Sequence, residues 1–274
     1  MNFRERILNT FKKEKIDKIV WQPRLEHWYN VNKSLGRLSE KYQNMGILEL
    51  YDDLNASVRY YNSPLKTKYK KVEIDINIIE EKTIITYKTP VGDLQQVIFT
   101  SEIDLSSHLI EYPLYYPLSP LQRLILDYAG FERTIYFLND YPEKIKKFLK
   151  IIEKSDDQLY DVLTKSPVEI LNFGENIDSN LNSPHLFEEY FIPYYEKRVE
   201  QLHKAGKFCH IHMDGSLKTL LPYLERLKFD GIEAATPLPQ GDVTLEELKS
   251  DELSPLGDIE KVRFVSKILE NYKR

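Results

Sequence analysis

The spacing of apolar and polar positions changes along the chain, and each change predicts a different element. Residues 3–13 (FRERILNTFKK) place Ile7, Leu8 and Phe11 at helical spacing with charges between them. IVWQP reads as a short strand stopped by Pro23, and residues 47–55 (ILELYDDLN) as a second amphipathic helix leading into the strand-like SVRYY. Over residues 69–100 the pattern turns β-branched and partly alternating: KKVEIDINII, KTIITYK and LQQVIFT, with Pro90, Val91, Gly92 and Asp93 as a turn between the last two. That is the signature of an antiparallel meander.

From about residue 119 helical and strand patterns alternate. SPLQRLILDYAG opens with a serine cap and a proline in the first turn and ends at glycine. PEKIKKFLKIIEKSDDQLYDVLTKS predicts one long helix or a broken pair. VEILNF predicts a buried strand ending in the polar turn GENID. SPHLFEEYFIPYYEKRVEQLHKAG predicts a helix interrupted near Pro193. The strand KFCHIHM, the helix SLKTLLPYLERLK and the strand FDGIEA follow, then a helix from TLEELKS and a terminal one from GDIEKVRFVSKILENYK. Strands alternating with helices imply a parallel sheet, and 274 residues suit a single α/β barrel domain over 1–274, with the meander as an insertion.

Composition narrows the function classes. The net charge of −5, with both signs interspersed, leaves no basic footprint for nucleic acid. No apolar run is long enough to cross a bilayer, and MNFRERILNTFKKEK lacks the apolar core of a signal peptide, so a cytoplasmic location is expected. A single cysteine excludes an internal disulfide framework. The 19 tyrosines read mostly as core and rim aromatics.

In a parallel α/β barrel, chemistry collects where strands pass into loops at their C-terminal ends. Here those ends are polar: Glu175, Asn176 and Asp178 after VEILNF; His210, His212 and Asp214 at the end of KFCHIHM; Glu233 in FDGIEA, then ATPLPQGD with Asp242. Residues two apart on a strand share a face, so His210 and His212 point one way and Cys209 and Ile211 the other. Three readings of the histidine pair stay open. They could ligate a divalent metal such as zinc, with His212 and Glu233 as ligands. They could be buried histidines hydrogen-bonded to Glu175 or Glu233. Or His212 could form a general acid/base pair with a neighbouring carboxylate. The second concentration of functional side chains, VWQPRLEHWYN over 20–30, offers Arg24 for a carboxylate or phosphate, with His27 and Trp28 beside it. The alternative is a surface loop pinned by its tryptophans.

These stretches carry a resemblance. FRERILNTFKKEKIDKIVWQPR resembles the opening of the uroporphyrinogen decarboxylase superfamily. ILNFGENID with SPHLFEEYFIPYYEKRVEQLHKAGK resembles that superfamily's strand, acidic loop and helix, and HIHMDGSLKTLLPYLERLKFDGIEAATP its next two β/α units. The resemblance implies a TIM (β/α)8-type barrel, with little room here for the last units and an expectation that segments are missing from this chain. It also implies one of two chemistries. The decarboxylases strip carboxyls from a tetrapyrrole with a motif holding two arginines. Here Trp21-Gln22-Pro23-Arg24-Leu25-Glu26-His27 keeps one. The other branch moves methyl groups between a small molecule and a corrinoid (methylcobalamin) protein, in several cases with a zinc held by histidine and cysteines. In that alignment the histidine falls on His212 and the first cysteine on Asp214, which weakens the zinc–thiol version and favours a folate or other non-thiol acceptor.

The expected enzyme is therefore a methyltransferase. Catalytic residues are expected to be His212, Asp214, Glu175 and Glu233, and substrate contacts Arg24, His27, Trp28, Asn176 and His210. Partners are a small methyl donor or acceptor, a corrinoid protein and a second copy in a homodimer. Tetrapyrrole decarboxylation and non-catalytic ligand binding are the alternatives.

Overall fold

The structure, a computed structural model, describes residues 1–23, 25–58, 69–80, 82–99, 118–224 and 226–248. The chain divides into two compact units, one containing Met1–Phe3 and Asp17–Leu114, the other Arg4–Ile16 and Tyr115–Arg274.

In the first unit two short helices, α2 (Glu26–Ser34) and α3 (Ile47–Asp53), close a small core of Tyr29, Leu38 and Leu50, with Leu25, Tyr42, Ile47 and Leu54 packed against it. Helix α2 takes residues that the sequence pattern does not predict as a helix. Glu26 in its first turn accepts a 2.7 Å hydrogen bond from the Tyr51 hydroxyl, which ties it to α3. The segment 19–23, expected as a strand, is irregular, and Ser57 N–H donates to the Trp21 carbonyl at 2.8 Å. The strand expected over SVRYY continues past residue 58 and so lies largely outside the described residues. The meander is present as expected. Strands β1 (Glu73–Ile79), β2 (Lys82–Thr89) and β3 (Gly92–Phe99) form an antiparallel sheet in that order, with Ile76 opposite Ile85 and Ile85 opposite Gln96. Gly92, at φ +131°, makes the tight turn that the proline–glycine signal predicted.

The second unit carries the β/α pattern. Helix α1 (Phe3–Phe11) lies in it from Arg4 onward. Pro120–Arg123 (α4) runs on as a π turn over Leu124–Tyr128. Helices α5 (Phe131–Asp140) and α6 (Pro142–Lys165) follow, the latter one continuous helix of 24 residues. Pro193 sits at the start of α8 (Ile192–Lys204), after α7 (Pro184–Leu186) and a π turn over Phe187–Phe191. This is the interruption that the proline predicted.

Strands β4 (Ile170–Ile177), β5 (Phe208–Met213) and β6 (Gly231–Ala234) are parallel and adjacent in chain order. Between the last two, SLKTLLPYLERLK yields only a 3₁₀ turn at Lys218–Leu220 and the short helix α9 (Leu221–Leu224). Helix α10 (Leu245–Leu248) follows, and the terminal helix expected from residue 257 lies outside the described residues. The α/β class and the parallel order hold. Among the described residues the parallel sheet is an arc of these strands, and no closed barrel is formed.

Alternation along β5 separates two faces. Cys209, Ile211 and Met213 are wholly buried, as are Leu202, Val199, Tyr195 and Phe191 of the helical layer. Phe173, Tyr195 and Phe229 form an edge-to-face aromatic cluster, with Phe173 and Phe229 centroids 4.9 Å apart. Burial of each such ring contributes roughly 1.5–3 kcal/mol. Arg198 lies inside this layer, 4.3 Å above the Tyr160 ring and 2.8 Å from Asp157. The other face of β5 carries His210 and His212. Near its N-terminal end Phe11 of α1 packs on Phe208 and His210 at 5.7 and 5.8 Å, and Arg4 pairs with Glu169 just ahead of β4.

Candidate functional site

The parallel register places polar residues in one row. Asn172 of β4 stands beside His210, and His212 beside Glu233 of β6. The other three side chains converge on the Glu233 carboxylate. Asn172 Nδ2 donates to Oε2 at 3.0 Å, His210 Nδ1 lies 3.6 Å from the same oxygen, and His212 Nδ1 lies 3.1 Å from Oε1. The Glu233 side chain is only 6% exposed, and a carboxylate buried without partners would cost several kcal/mol. On the far side of the His212 ring, Asp214 Oδ2 lies 3.6 Å from Nε2. The imidazole is thus flanked at both nitrogens by carboxylates, one buried and one 46% exposed.

The strand ends are held rigidly. Asp214 N–H donates to the Ile177 carbonyl at 3.0 Å and Ala235 N–H to the Met213 carbonyl at 2.8 Å. Asp242 accepts from the backbone N–H groups of Leu217 and Lys218, at 2.6 and 3.0 Å, so this acid is a cap for the turn after β5. Gly215, at φ +71°, lies so close to the Asp178 carboxylate that a Cβ would collide with it. Asn176, Ala234 and Ala235 adopt φ of +51°, +74° and +39° without being glycines. Each such residue stores about 1–3 kcal/mol of strain, and strain of this kind gathers at functional sites.

The expected site residues divide accordingly. The structure brings together His212, His210, Asp214 and Glu233, and adds Asn172, which the sequence reading missed. The signal was there: Asn172 is a polar residue between the apolar Leu171 and Phe173, on the face that its neighbour's histidines occupy. Glu175 is not brought to His212. Glu175 shares the core face of β4 with Leu171, Phe173 and Ile177 and is completely buried, beside an irregularity in the β4–β5 register between Phe173 and Ile177. The strand also runs through GENI, where the sequence predicts a polar turn. Ser119 donates to both Glu175 oxygens, from its backbone N–H at 2.6 Å and its hydroxyl at 2.9 Å. Gln122 Nε2 donates to the Glu175 carbonyl at 2.6 Å. Burial raises the Glu175 carboxyl to about 8 against the opposing pull of Ser119 and the Tyr195 hydroxyl. Asn176, the next residue, is exposed.

Arg24 lies outside the described residues. His27 belongs to α2, and Trp28 on the same helix is 46% exposed; both are in the first unit. On the Glu233 side of His212 the neighbouring donor is His210, while Asp214 flanks the opposite nitrogen. Among the described residues the metal-type donors that converge are elsewhere, at His203, Cys209 and Asp230.

The strands and loops that build the site lie inside a recognisable segment. Residues 124–249 match the uroporphyrinogen decarboxylase (URO-D) family model. The match bears out the superfamily resemblance, over a segment that takes in a little under half of the chain and every residue of the His212 cluster. No curated protein and no solved structure matches the chain significantly. The URO-D family is enzymatic in general, which makes the His212 cluster of this segment a candidate for chemistry rather than a packing feature alone. No helix among the described residues is long and apolar enough to cross a membrane.

Proposed function

We propose that the chain is a URO-D-superfamily methyltransferase, built on a TIM-type barrel, that moves a methyl group between a small molecule and a corrinoid protein, with His212 as the proton carrier. The observation that carries this reading is the pairing of His212 with Glu233 and Asp214 beside strand-end loops that hold more acids than bases. The loops after β4, β5 and β6 hold Asp178, Asp214 and Asp242 but a single base, Lys218, and Lys218 is paired with Glu247 at 2.7 Å. A tetrapyrrole with many carboxylates would meet repulsion at these strand ends. A small neutral acceptor would not.

The reaction asks little of the protein beyond orientation and one proton. The corrinoid supplies the methyl-carrying chemistry when its protein is bound. An acceptor that begins as X–H loses its proton as it gains the methyl group. The Glu233 contact at Nδ1 favours a proton on that nitrogen, which leaves Nε2 to take the acceptor's proton, and Asp214 stabilises the resulting imidazolium. In the reverse direction the same nitrogen returns the proton to the demethylated product.

The test is methyl transfer from methylcobalamin, free and protein-bound, to thiol and folate acceptors by wild type and His212→Ala. Transfer that His212→Ala abolishes supports the reading. Conversion of uroporphyrinogen to coproporphyrinogen without methyl transfer would replace it with decarboxylation. Loss of ~1–3 kcal/mol of stability in His212→Ala, with no turnover of any substrate by wild type, would leave a ligand-binding relative.

A further inference from the structure

We propose that His203, Cys209 and Asp230 form a zinc-type cation site at the N-terminal ends of β5 and β6, separate from the His212 cluster. The three come from different elements: His203 from the last turn of α8, Cys209 from the second residue of β5, and Asp230 from the residue before β6. His203 Nε2 lies 3.0 Å from Asp230 Oδ2 and 3.7 Å from Cys209 Sγ, and one ligand atom of each residue lies within 4.8 Å of the others. Zinc bonds of about 2.3 Å to sulfur and about 2.0–2.2 Å to nitrogen and oxygen, spread tetrahedrally, set donors roughly 3.3–3.7 Å apart. The two spacings to His203 Nε2, 3.0 and 3.7 Å, lie within a few tenths of an ångström of that range, and the third is under 4.8 Å.

The donor set is selective. A thiolate, an imidazole and a carboxylate suit zinc or cobalt and are poor partners for calcium or magnesium, which take oxygen. The frame is already fixed. Asp230 N–H donates to the Cys209 carbonyl at 2.8 Å, and Cys209 N–H donates back to Asp230 Oδ2 at 2.7 Å, so the carboxylate is oriented by an outer hydrogen bond as metal-bound carboxylates are. His203 is held where Gly206, at φ +71°, ends the helix and donates its N–H to the His203 carbonyl at 2.9 Å.

Exposure sets the polarity of the site. Cys209 is fully buried, whereas the His203 and Asp230 side chains are 34% and 21% exposed. A cation would take sulfur from the interior and complete its shell with water from outside. Burial and the Asp230 carboxylate push the Cys209 thiol well up, so the metal enters by exchange: the S–H bond breaks, the S–metal bond forms and one proton leaves to solvent. His212 lies three positions along the strand from Cys209, about 10 Å, so the two sites can be tested apart.

The experiment uses the full chain stripped of metal and titrated with Co²⁺. One equivalent should produce thiolate-to-cobalt absorption in the near ultraviolet with visible bands of tetrahedral intensity, displaced by Zn²⁺, and Zn²⁺ should raise Tm. Replacing outer partners of bound zinc lowers affinity about 10–100-fold, so losing a ligand in His203→Gln should lower it by about 100-fold or more. His212→Gln should bind cobalt as wild type does. His203→Gln is the decisive variant, since its side chain is partly exposed and Cys209→Ala alters core packing as well. Absence of the thiolate band in wild type, or unchanged affinity in both His203→Gln and Asp230→Asn, would overturn the proposal and leave the three as a hydrogen-bonded latch between α8 and the sheet.

Discussion

His212 Nδ1 stands 3.1 Å from Glu233 Oε1, across adjacent parallel strands that pair these two residues directly. Glu233→Gln keeps the shape and removes the charge. Under the proposed reaction, imidazolium stabilisation is lost when the acceptor proton moves, so kcat should fall about 10²–10⁴-fold, the usual scale for a disabled acid–base pair, with little change in KM. Steady-state methyl transfer measures both. Equal loss in kcat and KM, or no loss, would assign Glu233 to packing alone.

Asn172 acts on Glu233 through its 3.0 Å hydrogen bond, which makes it a positioning residue. Asn172→Asp would set a second carboxylate against the first, and like charges at this distance raise proton affinity. The pH–rate profile should then move its acidic limb to higher pH, while Asn172→Ala should lower kcat without moving that limb. A profile identical in Asn172→Asp and wild type would show that Asn172 and Glu233 are uncoupled in turnover.

Strand periodicity made the His212 cluster legible and the Glu175 position illegible, and the difference is physical. His210, His212 and Glu233 lie on regular strands, where alternation fixes the face a side chain takes. Glu175 lies in GENI, whose polar residues predict a turn; β4 runs on through it, and alternation then puts Glu175 on the buried face with Phe173 and Ile177. The same reasoning explains the meander, whose period of two and glycine turn are local properties, and the missed α2, whose residues EHWYNVNKS carry neither a capping side chain nor a clear apolar stripe. The His203–Cys209–Asp230 cluster was hidden differently. Its members are joined by chain reversals between α8, β5 and β6 rather than by a spacing along the sequence.

The loops after β5 and β6 depend on two glycines for different reasons. At Gly241 a Cβ would strike the backbone carbonyl of Thr236 and lie 2.6 Å from that of Gly215. At Gly215 the obstacle is the Asp178 side chain, which can move, but φ is +71°. Gly215→Ala should therefore cost about 1–3 kcal/mol from backbone strain, and Gly241→Ala more, because carbonyls of the main chain cannot step aside. Urea unfolding would rank the two. The opposite ranking would mean that the loop end near Gly241 yields more readily than the Asp178 side chain.

Glu175 gives the fold a pH dependence of its own. Burial raises its carboxyl from an ordinary 4.5 to about 8, outweighing the hydrogen bonds from Ser119. An acid whose folded value lies above its unfolded one binds its proton more tightly in the folded state. Its contribution is complete below the unfolded value of 4.5 and is lost as pH climbs to about 8. The slope is at most about 1.4 kcal/mol per pH unit for one group. Glu175→Gln supplies a permanently neutral side chain of the same size, with an amide that the Ser119 hydroxyl can still meet. It should match wild type at low pH and exceed it in Tm near pH 8, flattening the difference between the two ends of the window. A wild-type Tm that rises with pH across that interval, or a Glu175→Gln profile parallel to it, would show that the carboxyl is ionised when buried and that Ser119, not burial, sets its charge.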